Sequence, residues 1–148
     1  MFYSFSAMPS CSAQIASERV ALGGIQVGAT IDYVKSIYGE PSRIESAYVG
    51  MLDETITTHH YGETLSIAYD EQRRVHGIRS TGNNGFATPD GVSVGMDVSV
   101  LQKVYGKSDD VVPSKTTRYY AMKGVPYIGI RFDFNAGKIT QIWVAAFE

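Results

Sequence analysis

The sequence predicts an α+β protein made of two tandem helix-plus-antiparallel-meander repeats, with the helices packed on one face of the sheets. Two nearly identical stretches, GIQVGATIDYVKSIYGEP and GVSVGMDVSVLQKVYGKS, indicate the duplication. In each copy, apolar residues at helical spacing are followed by segments that alternate with period two, as strands do. The predicted organisation is a flexible N-terminal segment or signal-peptide remnant at 1–22, repeat 1 at 23–82, a linker at 83–89 and repeat 2 at 90–148.

Each predicted repeat opens with a short helix. Thr30 and Asp97 are the candidate N-caps, because a short side-chain oxygen accepts hydrogen bonds from the first free amides. Apolar residues then follow on one helical face, and in the two copies they are Ile31, Val34, Ile37 and Tyr38, and Val98, Leu101, Val104 and Tyr105. Gly39 and Gly106 follow where a left-handed C-cap belongs. A helix this short is unstable alone, so we expect it to pack on a sheet.

Three strands are predicted after each helix. They are TTHHY, TLSIAYD and RVHGIRS in repeat 1, and TTRYY, YIGIRFDF and KITQIWVAAF in repeat 2. Successive strand residues point to opposite faces. In YIGIRFDF this alternation directs Ile130 to the core and Arg131 away from it, and in the last strand it directs Trp143 outward. Because the helices cover one face only, the other face of the sheet is predicted to be open.

Composition excludes several classes of protein. The net charge is −2 and no Lys/Arg cluster occurs, so we expect no nucleic-acid partner. No apolar run approaches the ~20 residues that a membrane helix needs, so no transmembrane segment is predicted. Cys11 is the single cysteine and cannot form an internal disulfide. The small-residue-rich stretch before Glu18 fits the end of an export signal or a floppy terminus. We therefore predict an exported protein, periplasmic or extracellular.

The repeated VG…V…YG helix, followed each time by a three-strand meander, resembles the beta-lactamase-inhibitor-protein-like tandem repeats. It also resembles the related SmpA/OmlA family of small outer-membrane lipoproteins. The resemblance covers residues 24–148. It implies an exported, non-enzymatic protein that binds a partner protein on a concave sheet surface. The inhibitor type carries disulfides in its repeats, which this chain cannot form internally, so the resemblance does not extend to a beta-lactamase target.

The sequence lacks a motif for catalysis or metal binding. His59 and His60 are adjacent on a predicted strand and point to opposite faces, so they are poorly placed to bind one ion. Cys11 lies in the segment predicted to be flexible, whereas a nucleophile needs a packed, oriented site. Asp70 and Asp133 are predicted to start turns. We therefore expect a protein that is not an enzyme and holds no metal or cofactor.

The open sheet face is the remaining candidate site. Its predicted protein-binding residues are Trp143, Arg131, Tyr119, Arg118, His60 and Arg79. Trp and Arg are enriched at binding hot spots, although Trp143 could instead cover an edge of the core. The predicted function is a non-catalytic, exported or cell-envelope protein that binds another protein through this face. The alternative is a module that binds a small molecule or an envelope component in the cleft between the repeats.

Overall fold

The computed structural model describes residues 14–110 and 114–147. The helices are α1 (Ile31–Tyr38) and α2 (Ser99–Tyr105), and a short 3₁₀ turn covers Ser17–Arg19. The strands are β1 (Arg43–Val49), β2 (Glu54–Tyr61), β3 (Leu65–Tyr69), β4 (Val75–Ser80), β5 (Thr117–Met122), β6 (Val125–Asn135) and β7 (Lys138–Ala146).

The strands form a single seven-stranded antiparallel sheet in the order β1-β2-β3-β4-β7-β6-β5. The predicted fold class of two helix-plus-meander repeats is therefore wrong. The two predicted meanders are joined at the centre of the sheet, where β4 pairs with β7 and Ile78 lies opposite Val144. Each of these strands would otherwise present a row of unpaired N–H and C=O groups beside its apolar face. Pairing them satisfies both edges and makes one continuous core face.

Strand β1 is a second departure from the prediction. It pairs with β2 along its whole length, from Arg43 opposite His60 to Val49 opposite Glu54. Six of its seven residues are exposed, so it has no buried apolar stripe that the sequence could reveal. The backbone ladder holds it instead, with a hydrogen bond of 3.0 Å between the hydroxyls of Ser46 and Thr57. As a result, the first half of the chain contributes four strands and the second half contributes three.

Both helices pack into the same core. Val34 of α1 and Leu101 of α2 are buried in one cluster with the apolar residues of the sheet. Thr30 caps α1 by accepting a hydrogen bond from the Tyr33 amide at 3.2 Å. The glycine after each helix has a positive φ, 75° at Gly39 and 77° at Gly106, which side chains disfavour. Both helices therefore cover the same sheet face, and no helix of the described residues lies on the other face.

The two halves make matching backbone contacts around their helices. Before α1, the Gly28 amide donates to the Val75 carbonyl at 2.8 Å, and before α2 the Gly95 amide donates to the Ile139 carbonyl at the same distance. After the helices, Tyr61 donates its hydroxyl proton to the Gly39 carbonyl. Tyr120 donates likewise to the Gly106 carbonyl. Each half thus holds its helix against the sheet in the same way.

The strand register gives the residue correspondence between the halves. Tyr69 lies opposite Val75, and Phe134 lies opposite Ile139, so Tyr69 and Phe134 occupy equivalent positions. In the same way, His59 opposite Ile67 corresponds to Arg118 opposite Phe132. The match of His59 with Arg118 is the one that the sequence suggests. For β3 and β6 the observed match differs by two residues from that of LSIAYD with IGIRFD, because Asp133 lies within β6 and is not the counterpart of Asp70.

The N-terminal segment 1–22 was predicted to be flexible. Its residues 1–13, which include Cys11, lie outside the described part of the chain. From Ile15 onward the chain packs on the protein. Ile15 accepts a hydrogen bond from Lys123 and donates one to the carbonyl of Ala121. Val20 and Leu22 are buried in the core. Among the described residues, no helix has the length and the hydropathy that crossing a bilayer requires.

Candidate functional site

The register places one residue from each strand in a row across the open face, because opposed residues of antiparallel strands share a face. We call this row the central row. From β1 to β5 it consists of Arg43, His60, Ser66, Arg79, Trp143, Arg131 and Tyr119. Five of the six residues predicted to bind a partner are therefore side by side on the same surface.

Arg118 is the exception. It lies opposite Phe132 on the core face, behind the predicted surface. Its guanidinium donates a hydrogen bond of 3.0 Å to the carbonyl of Thr117 and another to that of Ser114. Its Cζ also lies 4.8 Å from the centre of the Phe134 ring. Arg118 therefore packs beside α2 and does not contribute to the open face.

Trp143 occupies the middle of the central row between two arginines. Arg79 on β4 lies over the indole with its Cζ 4.6 Å from the ring centroid, and Arg131 on β6 lies on the other side at 5.7 Å. Stacked guanidinium groups are attracted by the electron-rich ring face and lose little entropy when they bind a carboxylate. This arrangement fixes two positive charges about an apolar centre.

The two arginines differ in their electrostatic partners. Arg131 Nε lies 3.0 Å from Asp133 Oδ1. The same carboxylate accepts hydrogen bonds from Gln141 at 2.7 Å and from Thr117 at 3.0 Å, so its position is firmly set. Within the described part of the chain, the exposed Arg79 forms no ion pair. Arg79 is therefore the cation of this face that is available to an acidic partner.

An aromatic patch of Trp143, Phe147 and Tyr119 continues the surface. Phe147 meets Trp143 edge to face with centroids 5.0 Å apart, and it meets Tyr119 in the same geometry at 5.4 Å. Tyr119 donates its hydroxyl proton to the Pro126 carbonyl at 2.9 Å. Burial raises the pKa of Tyr119 to about 12, so this proton is retained at neutral pH. The patch is thus an interlocked group of rings rather than separate exposed side chains.

Two glycines leave room for side chains of the aromatic patch close to the sheet. A Cβ at Gly77 would come within 3.2 Å of Trp143 Nε1, and one at Gly129 would come within 2.7 Å of the Tyr119 hydroxyl. Neither glycine has a positive φ, so the reason for glycine here is space and not backbone geometry. At Gly129 an added Cβ would also clash with the backbone carbonyl oxygen of Tyr120, so a larger residue there would disturb the strand as well as the patch.

The first-half end of the central row is polar. His60 Nε2 lies 2.7 Å from Glu45 Oε1, and Arg43 lies 3.1 Å from the same carboxylate. The hydrogen bond from His60 and the positive charge of Arg43 lower the pKa of Glu45. Ser66 is opposite His60 in the register, but the hydrogen bonds of the described residues do not join its hydroxyl to the ring. No three His, Cys, Asp or Glu side chains of the described residues gather as metal ligands would.

Neither Phe147 nor Asp133 was among the residues predicted to bind a partner. Phe147 follows Trp143 and Ala145 at period two, so the alternation that directed Trp143 outward also placed Phe147 there. Asp133 is two residues from Arg131 on the same strand, so the same rule places it on the open face. The sequence similarity of the two halves aligned Asp133 with Asp70, and a turn-starting role was therefore predicted for both. The structure shows that Asp70 caps the turn after β3 by accepting from the amides of Gln72 and Arg74.

Comparison with known proteins gives one structural similarity. No protein-family model matches this sequence, and no curated protein matches it. A crystal structure of an extracellular protein containing a SCP domain, from Bacillus anthracis str. Ames, matches with a TM-score of 0.53 and 13% sequence identity. The match covers 98% of this chain and 50% of that one, so this chain spans about half the length of its neighbour. At this identity the likeness concerns the fold alone.

Proposed function

We propose that this is a non-catalytic protein that binds another protein through the open face of its sheet. The observation that carries the proposal is the stack of Arg79, Trp143 and Arg131 at the centre of the central row. Tryptophan and arginine contribute a disproportionate share of the free energy at protein interfaces. Phe147 and Tyr119 hold the indole on one side, so little side-chain entropy is lost when a partner docks.

Charge indicates what the partner presents. Arg131 is already paired with Asp133, whereas Arg79 is exposed and has no ion pair among the described residues. A partner carboxylate beside an apolar side chain would contact Arg79 and the indole together. We therefore propose an acidic protein surface as the occupant of this face. Electrostatic attraction of this kind speeds association and weakens with added salt.

Export is part of the same proposal. The structural neighbour is described as an extracellular protein, which supports the proposal of an extracellular or cell-envelope location. The resemblance to the inhibitor-like repeats and to the SmpA/OmlA family also remains a proposal, and it agrees with a protein that works by binding. The alternative small-molecule site in the cleft between the halves stays a prediction.

The test is affinity capture from the native host followed by binding measurements on the purified partner. The wild-type chain, Arg79→Glu and Trp143→Ala are compared with Lys103→Ala, which removes an exposed cation from α2 on the other side of the sheet. We expect a partner that is retained by the wild type and by Lys103→Ala. Its affinity should fall by about tenfold or more in the other two variants. Equal retention by all four folded proteins would overturn the proposal.

A further inference from the structure

A cavity of about 280 Å³ opens on the helix side of the first half, between α1 and the outer strands. We call it the first-half cavity. Two isoleucines line it, Ile31 of α1 and Ile44 of β1, and two cations, Lys35 and Arg73. His59 of β2 and Tyr69 of β3 line it as well. Its volume exceeds that of cavities that hold benzene and is near the lower limit for ligand pockets.

The buried residues of this cavity have unsatisfied polar atoms. His59 is 3% exposed and Tyr69 is 1% exposed. Among protein atoms of the described residues, neither His59 Nδ1 nor the Tyr69 hydroxyl has a hydrogen-bond partner. Buried polar groups in folded proteins are nearly always hydrogen-bonded, because leaving them unpaired costs their hydration. Both atoms belong to residues that line the first-half cavity, so a ligand held there lies beside two polar groups that lack a partner.

The second half shows that the fold does not require this arrangement. At the position of Tyr69 it has Phe134, which has no polar atom. At the position of His59 it has Arg118, which donates to backbone carbonyls and lies over the Phe134 ring. The corresponding pair in the second half is thus satisfied within the protein, whereas the pair in the first half is not.

The charges near the cavity select the ligand further. Lys35 is paired with Glu40 at 3.2 Å. Asp70 also lines the cavity, and one of its carboxylate oxygens accepts hydrogen bonds from the amides of Gln72 and Arg74. Arg73 is exposed, and no ion pair of the described residues includes it. The cation without a partner lies at the solvent side, and the unpaired polar atoms lie at the buried side.

We propose that the first-half cavity binds a small organic anion with an apolar ring and a hydroxyl group. The hydroxyl bonds to His59 and Tyr69 at the buried end. The ring packs against Ile31 and Ile44, and the carboxylate pairs with Arg73 at the rim. This site is on the opposite side of the sheet from the central row, so it is independent of the proposed partner-binding function.

The experiment is isothermal titration of the full chain with three related probes. The probe 4-hydroxyphenylacetate has the ring, the hydroxyl and the carboxylate. Phenylacetate lacks the hydroxyl, and tyramine replaces the carboxylate with an ammonium group. We expect saturable one-to-one binding of 4-hydroxyphenylacetate, with each of the other probes weaker by about tenfold or more. No saturable binding of the first probe at about 10 mM, or equal binding of all three, would overturn the proposal.

Variants assign the binding to this cavity. Tyr69→Phe should weaken 4-hydroxyphenylacetate about tenfold and leave phenylacetate unchanged, since it removes only the hydrogen bond. Arg73→Ala should weaken both carboxylates. The matched control is Tyr61→Phe, because Tyr61 donates to Gly39 and does not line the cavity. The second half already has phenylalanine at the position of Tyr69, so this variant is expected to fold. If Tyr69→Phe bound the hydroxylated probe as the wild type does, the assignment would be wrong.

Discussion

The helix packs on the sheet through the same hydrogen-bond frame in both halves, but different side chains lie between helix and sheet. In both halves a tyrosine hydroxyl, from Tyr61 or Tyr120, bonds to the carbonyl of the glycine that ends the helix. Beneath the second helix Arg118 stacks on Phe134, whereas beneath the first His59 and Tyr69 meet edge to face at 4.8 Å. Backbone contacts thus preserve the frame, and side-chain replacement decides whether the polar groups beneath the helix are hydrogen-bonded within the protein.

The two halves also protect their outer strands differently. The outer edge of β2 is paired with β1, which is itself almost wholly exposed. The outer edge of β5 is met by two aspartates, as Asp110 accepts from the Tyr119 amide at 3.1 Å and Asp109 accepts from the Ala121 amide at 2.8 Å. In both cases, amides of the outer strand, β2 or β5, form hydrogen bonds within the protein and are not free to pair with another chain.

The largest expected effect concerns the shared sheet. Replacing Phe132 with alanine removes a fully buried ring and should destabilise the protein by about 3–5 kcal/mol. Because β4 and β7 are paired, both halves should unfold in one transition at a lower urea concentration. Trp143 fluorescence reports on the second half, and amide exchange of β3 reports on the first. Two separate transitions, with only the fluorescence shifted, would contradict a single cooperative sheet.

A second prediction uses the titration of His59. Burial, aided by the charge of Lys35, lowers the pKa of His59 in the folded protein. Below about pH 6.5 the unfolded chain therefore binds a proton that the folded protein does not. As the pH decreases, this group lowers the free energy of unfolding by up to about 1.4 kcal/mol per pH unit.

The control for this prediction is His59→Asn, which removes the titrating ring. Urea unfolding between pH 7 and the acid limit should show a shallower loss of stability in the variant than in the wild type. If the two proteins lost stability in parallel, His59 would not be the origin of the acid sensitivity.

The third prediction compares two tyrosines of the first half. Tyr69→Phe removes an unpaired buried hydroxyl and should stabilise the ligand-free protein by about 1 kcal/mol. Tyr61→Phe removes a hydroxyl that donates to Gly39 at 2.9 Å and should destabilise it by about 1 kcal/mol. Urea unfolding gives both changes in stability, from the shift of the midpoint at an unchanged dependence of the unfolding free energy on urea concentration. Changes of the same sign would show that the Tyr69 hydroxyl is satisfied.

The smallest expected effect belongs to the open face. Arg79→Gln removes an exposed cation–π contact and should cost about 0.5–1 kcal/mol. Lys103→Gln on α2 is the control and should change stability by less than about 0.5 kcal/mol. The fluorescence of Trp143, the single tryptophan, should change only in the first variant. A spectrum unaffected by loss of Arg79 would mean that this guanidinium does not rest on the indole.

Local patterns predicted the segments well and their assembly poorly. Each strand that the alternation indicated overlaps an observed strand, and the outward position of Trp143 followed from period two alone. The joining of β4 to β7 was not predictable in this way, because edge pairing depends on neighbours distant in sequence. Strand β1 carries no apolar stripe that would reveal it. Arg118 was assigned to the same face as its neighbour Tyr119, although adjacent strand residues point to opposite faces.

The first-half cavity could not be predicted from the sequence, because it too depends on how distant segments pack. His59 and Tyr69 are ordinary strand residues there, and their lack of hydrogen bonds appears only when β2, β3 and α1 are packed. Asp133 was misassigned because the longer β6 shifts the match between the halves by two residues.

The most direct test of the difference between the halves is an amide-resolved NMR titration with 4-hydroxyphenylacetate. Saturable shifts are expected at residues around His59 and Tyr69, and at Ile31 on α1. The equivalent residues of the second half, Arg118, Phe134 and Val98, should not move. Comparable shifts in both halves, or shifts confined to the second, would contradict this difference.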